Sequence, residues 1–182
     1  MKVMEIRIVL LGIYCVLGTL RAGENRPPLK IGDPAPAFQL RDDEGKWRSL
    51  EEFRGKKVVL YFYPKNDTPG CTKEACNFRD NYELYRKHDI EVIGVSYDSP
   101  ESHRRFKEKY RLPFILLSDS HKQAAKAYGA YGGVMKFFMP RRMTFLIDEE
   151  GNIVHVFEKV DVSTHALEVL TAFGINPENS GE

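Results

Sequence analysis

Apolar positions along this chain follow two spacings, one typical of buried strands and one typical of helices. The segment Lys57–Tyr63 is an almost unbroken apolar run, which predicts a strand covered on both faces at the centre of a sheet. Four more strand candidates lie at 90–97, 114–117, 143–147 and 153–157. Helical spacing is found at 71–87, 100–110, 122–128 and 163–173. Ser99 before Pro100 is a helix start signal, so strands and helices are predicted to alternate.

Turn signals extend this prediction at both ends of the series. The acidic turn Asp42–Gly45 joins short segments at 38–40 and 46–48 as a hairpin, and Asp148–Asn152 joins the last two strands in the same way. The order is therefore alternating β and α, then a hairpin and a closing helix. This order predicts an α/β fold of thioredoxin-like type, with a mixed central sheet and helices on both faces.

The first 30 residues depart from this pattern. Lys2 and Arg7 precede an apolar stretch at 8–20, and Ala22 follows it, which is the layout of a signal peptide cleaved after Ala22. We expect export to the periplasm or outside the cell, with no stable membrane contact after cleavage. An uncleaved membrane anchor and a cytoplasmic protein are the alternatives. The predicted division is a leader at 1–22, a linker at 23–30, one domain at 31–176 and a tail at 177–182.

Composition and charge exclude some classes of partner. Hydrophobic residues make up 42% of the 182 residues, which suits one domain with a real core. The 27 Lys and Arg residues balance 26 Asp and Glu residues, so there is no long-range field to gather nucleic acid. Of the three cysteines, Cys15 lies in the leader, which leaves Cys71 and Cys76. An even pair in an exported chain can form a structural disulfide, so their spacing must decide.

The most informative stretch is Pro64–Cys76, which follows the strongest strand and opens the longest helix. A loop that leaves the carboxyl end of a strand is where α/β folds bind ligands. Thr68 and Pro69 suit the N-cap and the first helical position, which would place Cys71 in the first turn. A helix N-terminus stabilises an anion by up to about 2 kcal/mol. Since that is too little to ionise a thiol fully at neutral pH, a second positive group is expected.

Helical spacing separates the two sulfurs. Cys71 shares an apolar stripe with Ala75 and Phe78, whereas Cys76 lies about 140° away around the helix. On an intact helix the two Cα atoms would be roughly 8.6 Å apart, and a disulfide needs less than about 7 Å. The pair can therefore bond only if the first turns unwind, which favours a redox cycle over a static cross-link.

Two other interpretations of these residues stay open. The cysteines can be a coincidental buried pair, since this spacing alone is weak evidence. Metal binding is disfavoured because zinc sites use a second ligand pair, so neither a metal nor a cofactor is predicted. The five histidines are scattered and are predicted to be surface or cap residues: His88, His103, His121, His155 and His165.

Three motifs carry a resemblance to a known family. Tyr61–Pro64, Thr68–Cys76 and Phe78–Asp80 resemble the bacterioferritin comigratory protein or peroxiredoxin Q branch of the peroxiredoxins, and in particular its atypical two-cysteine members. The resemblance runs from Ile31 to the final helix. It implies a thioredoxin-like peroxiredoxin fold and a thiol-dependent peroxidase that reduces hydrogen peroxide and organic hydroperoxides. Antioxidant defence and redox homeostasis follow as the implied role.

The resemblance also implies a role for each site residue. Cys71 matches the peroxidatic cysteine, and Cys76 matches the resolving cysteine that joins it in an intramolecular disulfide. Thr68 matches the hydroxyl that binds thiolate and peroxide, and Pro64 matches the residue that shields the pocket. The positive group is then Arg142, because it points with Thr144 along its strand while Arg141 points away. The implied partners are a hydroperoxide and a thioredoxin-like reductant, and a monomer or weak homodimer is expected.

Two other functions remain as alternatives. A peroxide-responsive redox sensor or binding module would use the same cysteine pair once, without catalytic turnover. A protein disulfide oxidoreductase would normally carry a Cys-x2-Cys motif, which this chain lacks.

Overall fold

A computed structural model describes residues 28–132, 135 and 137–176 of the chain. The predicted leader at 1–22 and the tail at 177–182 lie outside the described residues. Within the described part, no helix combines the length and the apolar character needed to cross a membrane.

The described residues form a seven-stranded sheet in the order β2-β1-β5-β4-β3-β6-β7. The strands are β1 (Gln39–Asp42), β2 (Trp47–Ser49), β3 (Lys57–Phe62), β4 (Ile90–Ser96), β5 (Ile115–Ser118), β6 (Met143–Ile147) and β7 (Ile153–Phe157). The helices are a 3-10 turn (Leu50–Phe53), α1 (Pro69–Asp80), α2 (Tyr82–Lys87), α3 (Pro100–Tyr110), α4 (Gln123–Ala127) and α5 (His165–Ala172). Strands β3, β4 and β5 are parallel, and the remaining pairs are antiparallel, so the predicted mixed sheet is confirmed.

Strand β3 occupies the interior position that its apolar run predicts. It pairs with β4 on one side and with β6 on the other, and its residues 58–62 are all buried. The antiparallel register sets Phe62 opposite Met143. The loop that follows β3 and the residue that precedes β6 therefore lie next to each other at the carboxyl end of β3.

The core is divided into two layers by the sheet. One layer contains the 3-10 turn and α4, represented by Phe53 and Ala124. The opposite layer contains side chains of α1, α2, α3 and α5, among them Phe78, Tyr85 and Phe106. Helices thus lie on both faces, as predicted, and the layer that holds α1 also holds Cys71.

The single helix predicted at 71–87 is wrong, because two helices occupy this segment. Helix α1 begins at Pro69 and ends at Asp80, and α2 begins at Tyr82. At the break, the Asn81 side chain donates from Nδ2 to the carbonyl of Asn77 at 2.9 Å. An asparagine side chain that bonds to a nearby carbonyl competes with the helical backbone pattern, which accounts for the break.

Candidate active site

The strand-loop-helix segment at 64–71 positions the predicted nucleophile. Thr68 is the N-cap residue of α1 and Pro69 is its first residue, as the sequence predicts. The backbone N–H of Thr72 donates to the carbonyl of Thr68 at 2.9 Å, which closes the first turn. Cys71 lies in that turn with 1% of its surface exposed, so its sulfur is close to the positive end of the helix dipole.

Arg142 supplies a positive charge to the same sulfur. It directly precedes β6, and its Nη2 donates to Sγ of Cys71 at 3.2 Å. Arg141 is exposed, and its backbone N–H donates to the carbonyl of Ala130 at 2.8 Å. The structure therefore brings Cys71 and Arg142 together across 71 residues of chain and directs Arg141 away.

A further ionisable residue of the site, Glu74, was missed by the sequence analysis. Its side chain is fully buried and is paired with Nη1 of Arg142 through Oε2. Burial raises the pKa of the Glu74 carboxyl to about 7, and attraction from Arg142 opposes that rise without cancelling it. Burial also works against the charged form of Arg142, but Glu74 and Cys71 outweigh it and raise the Arg142 pKa. The signal that could have found Glu74 is its spacing, since a residue three positions after Cys71 shares its helix face.

Thr68 and Pro64 lie in the loop beside the cysteine and are both half-buried. The Thr68 hydroxyl donates to the carbonyl of Lys65 at 3.0 Å, and it makes no side-chain cap bond to the helix. Pro64 follows Tyr63, whose backbone N–H still bonds to β4 at the carbonyl of Val95. Both residues therefore border the first turn of α1, and neither is bonded to Cys71 in this arrangement.

Cys76 is separate from this cluster. It is half-buried, and both it and Cys71 are free thiols. The two residues lie on one continuous α-helix, five positions apart. Because that geometry holds their Cα atoms roughly 8.6 Å apart, a disulfide between them requires part of α1 to unwind.

A buried polar network holds the loop from below. The Asn66 side chain accepts from the Tyr63 hydroxyl at 2.7 Å and donates to Oγ of Ser102 at 2.9 Å. Its backbone N–H donates to Oδ2 of Asp98 at 3.0 Å. These bonds connect the loop to the end of β3, to the segment between β4 and α3, and to the first turn of α3. The position of Asn66 is therefore fixed by these hydrogen bonds, and Thr68 follows it two residues later in the loop.

Two of the five histidines are buried, so the prediction that all of them are surface or cap residues is wrong. His103 lies beside Tyr63, with 3.2 Å between its Nδ1 and the hydroxyl, and His165 lies 2.8 Å from Oγ1 of Thr144 through Nε2. Burial lowers the pKa of each ring to about 4. Arg142 also contributes to the lowering at His165. A neutral imidazole can be buried when a hydroxyl satisfies one ring nitrogen, which scattered positions in a sequence do not reveal.

Clusters of metal-ligating side chains are absent from the residues that the structure describes. These residues contain no group of three or more His, Cys, Asp or Glu side chains placed to hold an ion. The arrangement instead provides a buried sulfur, a helix N-terminus and a guanidinium. These groups suit a sulfur nucleophile that attacks an electrophilic oxygen.

Comparison with known proteins points in the same direction. Residues 31–156 match the AhpC/TSA family. A Bcp peroxiredoxin of Coxiella burnetii is 49% identical over 146 residues, covering 78% of this chain and 97% of that protein. Peroxiredoxin Bcp of Bacillus subtilis is 45% identical over 146 residues, covering 78% of this chain and 93% of its own length. The bacterioferritin comigratory protein of Xanthomonas campestris, studied for alkyl peroxide reduction, superposes with a TM-score of 0.73 at 32% identity, over 80% of this chain and 96% of its own.

Proposed function

The chain belongs to the AhpC/TSA family, and within that family we propose that it reduces hydrogen peroxide and organic hydroperoxides through Cys71, with Arg142 as the activating cation. Its relatives are Bcp and peroxiredoxin Q proteins, so it is a thiol-dependent peroxidase with an antioxidant function. The family, the fold class and the peroxidase activity are therefore as the sequence predicted. The residue roles, the resolving step and the location are the proposal.

The contact between Nη2 of Arg142 and Sγ of Cys71 at 3.2 Å carries this proposal. The guanidinium and the start of α1 both favour the anionic form of the sulfur, which is the nucleophile. The thiolate attacks the terminal oxygen of the hydroperoxide, an S–O bond forms and the O–O bond breaks. Cys71 becomes a sulfenic acid, and the departing oxygen takes up a proton to leave as water or an alcohol. Arg142 can stabilise the negative charge that develops on the oxygens during this step.

Thr68 and Pro64 complete the proposed pocket. The Thr68 hydroxyl now donates to the Lys65 carbonyl, and rotation about its Cα–Cβ bond would redirect it toward a bound peroxide. Pro64 is half-buried beside the same turn and would limit the access of water to the sulfur. Excluding water strengthens the electrostatic interactions at the site.

Cys76 is the proposed resolving residue. Its thiolate would attack the sulfenic sulfur of Cys71, and a thioredoxin-like protein would then reduce the resulting disulfide by thiol exchange. We place the enzyme outside the cytoplasm on the basis of the signal-like leader, which implies an extracytoplasmic reductant. A monomer or weak homodimer is proposed for the assembly.

The experiment combines rapid mixing with two cysteine variants. Reduced protein is mixed with hydrogen peroxide and then with a thioredoxin. We expect Cys71→Ser to abolish turnover, because it removes the nucleophile. We expect Cys76→Ser to consume about one equivalent of peroxide and stop at the sulfenic acid. Equal turnover in wild type and Cys71→Ser would reject the assignment, and a single reaction without thioredoxin-driven turnover would favour the sensor.

A further inference from the structure

The Asn77 side chain connects the second half of α1 to the start of α5 by two hydrogen bonds. Nδ2 of Asn77 donates to the carbonyl of Ser163 at 3.1 Å, and Oδ1 of Asn77 accepts from the backbone N–H of Ala166 at 2.9 Å. Both ends of the carboxamide are thus bonded to backbone groups of another element. Asn77 is the residue that directly follows Cys76.

The residues after Asn77 are held on two sides. The fully buried Phe78 ring packs against the His165 ring in a T-shaped arrangement, with 5.5 Å between the centroids. Arg79 donates from Nη1 to the carbonyl of Tyr110, at the end of α3, at 2.8 Å. The Tyr85 hydroxyl in α2 donates to the carbonyl of Ala166. From residue 77 onward, the chain is therefore fastened to both α5 and α3.

The first half of α1 is held in a different way. Thr68 makes no side-chain cap bond, and the first turn contains no acidic residue to complement the helix dipole. Arg142 contacts both Cys71 and Glu74, which lie in this half. Oxidation to sulfenic acid removes the negative charge of Cys71 and so weakens its bond to Arg142. The reaction itself therefore weakens one of the two contacts that Arg142 makes with residues 69–75, and it leaves the contacts of Asn77 and Arg79 unchanged.

We propose that Asn77 is a positioning residue for the resolving step, because it stops the unwinding of α1 at Cys76 and keeps Cys76 in place while Cys71 moves to it. This inference rests on the proposed function, in which Cys76 resolves the sulfenic acid of Cys71. In that step, the Cys76 sulfur attacks the Cys71 sulfur, an S–S bond forms and the S–O bond breaks. The hydroxide leaves with a proton as water, Cys76 is oxidised and Cys71 is reduced.

A stationary Cys76 suits the geometry of this step. The Cα atoms must approach from roughly 8.6 Å to less than about 7 Å, which is a short movement for a released segment of this length. If the segment beyond Cys76 also unwound, both cysteines would be mobile. Bringing their sulfurs into contact would then cost additional conformational entropy. Loss of the two Asn77 hydrogen bonds should therefore slow disulfide formation.

The test compares Asn77→Ala with two other variants of α1 and its end. Asn81→Ala is the matched control, because the Asn81 carboxamide bonds within the same segment, to the Asn77 carbonyl, and does not reach α5. Asn77→Asp keeps an acceptor for the N–H of Ala166 and loses the donor to Ser163. In each protein, quenched flow measures the rate of Cys71 oxidation by hydrogen peroxide, and mass spectrometry measures the disulfide that follows and the sulfinic acid formed at rising peroxide.

We expect the rate of Cys71 oxidation in Asn77→Ala to stay within about twofold of wild type. Disulfide formation should fall about tenfold, as for the loss of one to two hydrogen bonds, and sulfinic acid should accumulate at proportionally lower peroxide. The rate of disulfide formation in Asn77→Asp should lie between the rates of wild type and Asn77→Ala. The rate in Asn81→Ala should match that of wild type. Unchanged or faster disulfide formation in Asn77→Ala, an equal loss in Asn81→Ala, or parallel loss of both steps would overturn the inference.

Failure of the proposed function looks different. If wild-type protein forms no disulfide between Cys71 and Cys76 after peroxide treatment, the resolving role of Cys76 is wrong and the inference falls with it. If wild type forms that disulfide and Asn77→Ala forms it equally fast, only the positioning role is wrong.

Discussion

Replacing Arg142 with glutamine tests the interaction on which the proposed chemistry depends. The change removes a charge at 3.2 Å from the Cys71 sulfur and keeps a side chain that can hydrogen-bond. Coulomb's law at an effective dielectric constant of 20 gives about 5 kcal/mol for two unit charges at that distance. This value is an upper bound, because the Arg142 side chain is 20% exposed and is shared with Glu74.

Glu74 reduces the expected effect further. Burial already raises its pKa to about 7, so it would take up a proton when the guanidinium is removed. The site would then lose a positive and a negative charge together. We therefore expect a loss near the value for a hydrogen bond to a charged group, about 1.5–3 kcal/mol. This corresponds to a decrease of roughly 10- to 150-fold in the rate of peroxide attack.

The assay measures the second-order rate constant for hydrogen peroxide at pH 7 in a Cys76→Ser background, so that the first step is isolated. Arg141→Gln is the matched control, because it removes the same charge from the neighbouring, exposed position. We expect that control to stay within about twofold of its parent. A rate for Arg142→Gln within threefold of its parent, or an equal loss in Arg141→Gln, would refute the reasoning.

Two further predictions concern the pH dependence of stability, measured by chemical denaturation at a series of pH values. The pKa of Glu74 is raised from 4.5 to about 7 in the folded protein. Its contribution to the free energy of unfolding is therefore fully present below pH 4.5 and is lost as the pH rises toward 7. Glu74→Gln should therefore gain stability relative to wild type across that window, by at most about 3 kcal/mol, and parallel curves would contradict this. The pKa of His165 is lowered from 6.5 to about 4 in the folded protein. Its contribution to the free energy of unfolding is therefore fully present above pH 6.5 and is lost as the pH falls toward 4. His165→Asn should flatten the acid side of the curve by up to about 3 kcal/mol, and an unchanged acid slope would show that the ring is not buried in its neutral form.

Much of the fold is predictable because its signals are local. The apolar run at Lys57–Tyr63 identified an interior strand, and the turn Asp148–Asn152 identified the final hairpin. The pair Ser99 and Pro100 located the start of α3, where the Ser99 side chain accepts from the N–H of Ser102 at 3.2 Å. Such features depend on neighbours along the chain, so periodicity and cap chemistry report them directly.

The break at Asn81 shows where local reasoning fails. Apolar spacing continues from α1 into α2, and the stripe that includes Phe78 and Tyr85 is buried on both sides of the break. The competing signal is one asparagine side chain that bonds to a carbonyl four residues earlier. Burial periodicity does not distinguish one helix from two that share the same face.

In the candidate site, too, some features follow from one segment of the chain and others depend on tertiary contacts. Cys71 at a helix start and its spacing to Cys76 follow from the sequence alone, since both depend on one segment. The burial of Glu74 against Arg142, the neutral His165 and the bridge from Asn77 to α5 were decided only by the tertiary structure. Each of these depends on the register of β3 against β6 or on the packing of α5 against α1, which bring together residues far apart in the chain. Whether a charged or polar group can be buried is decided by the partner it meets there, and that partner is not encoded by its neighbours in sequence.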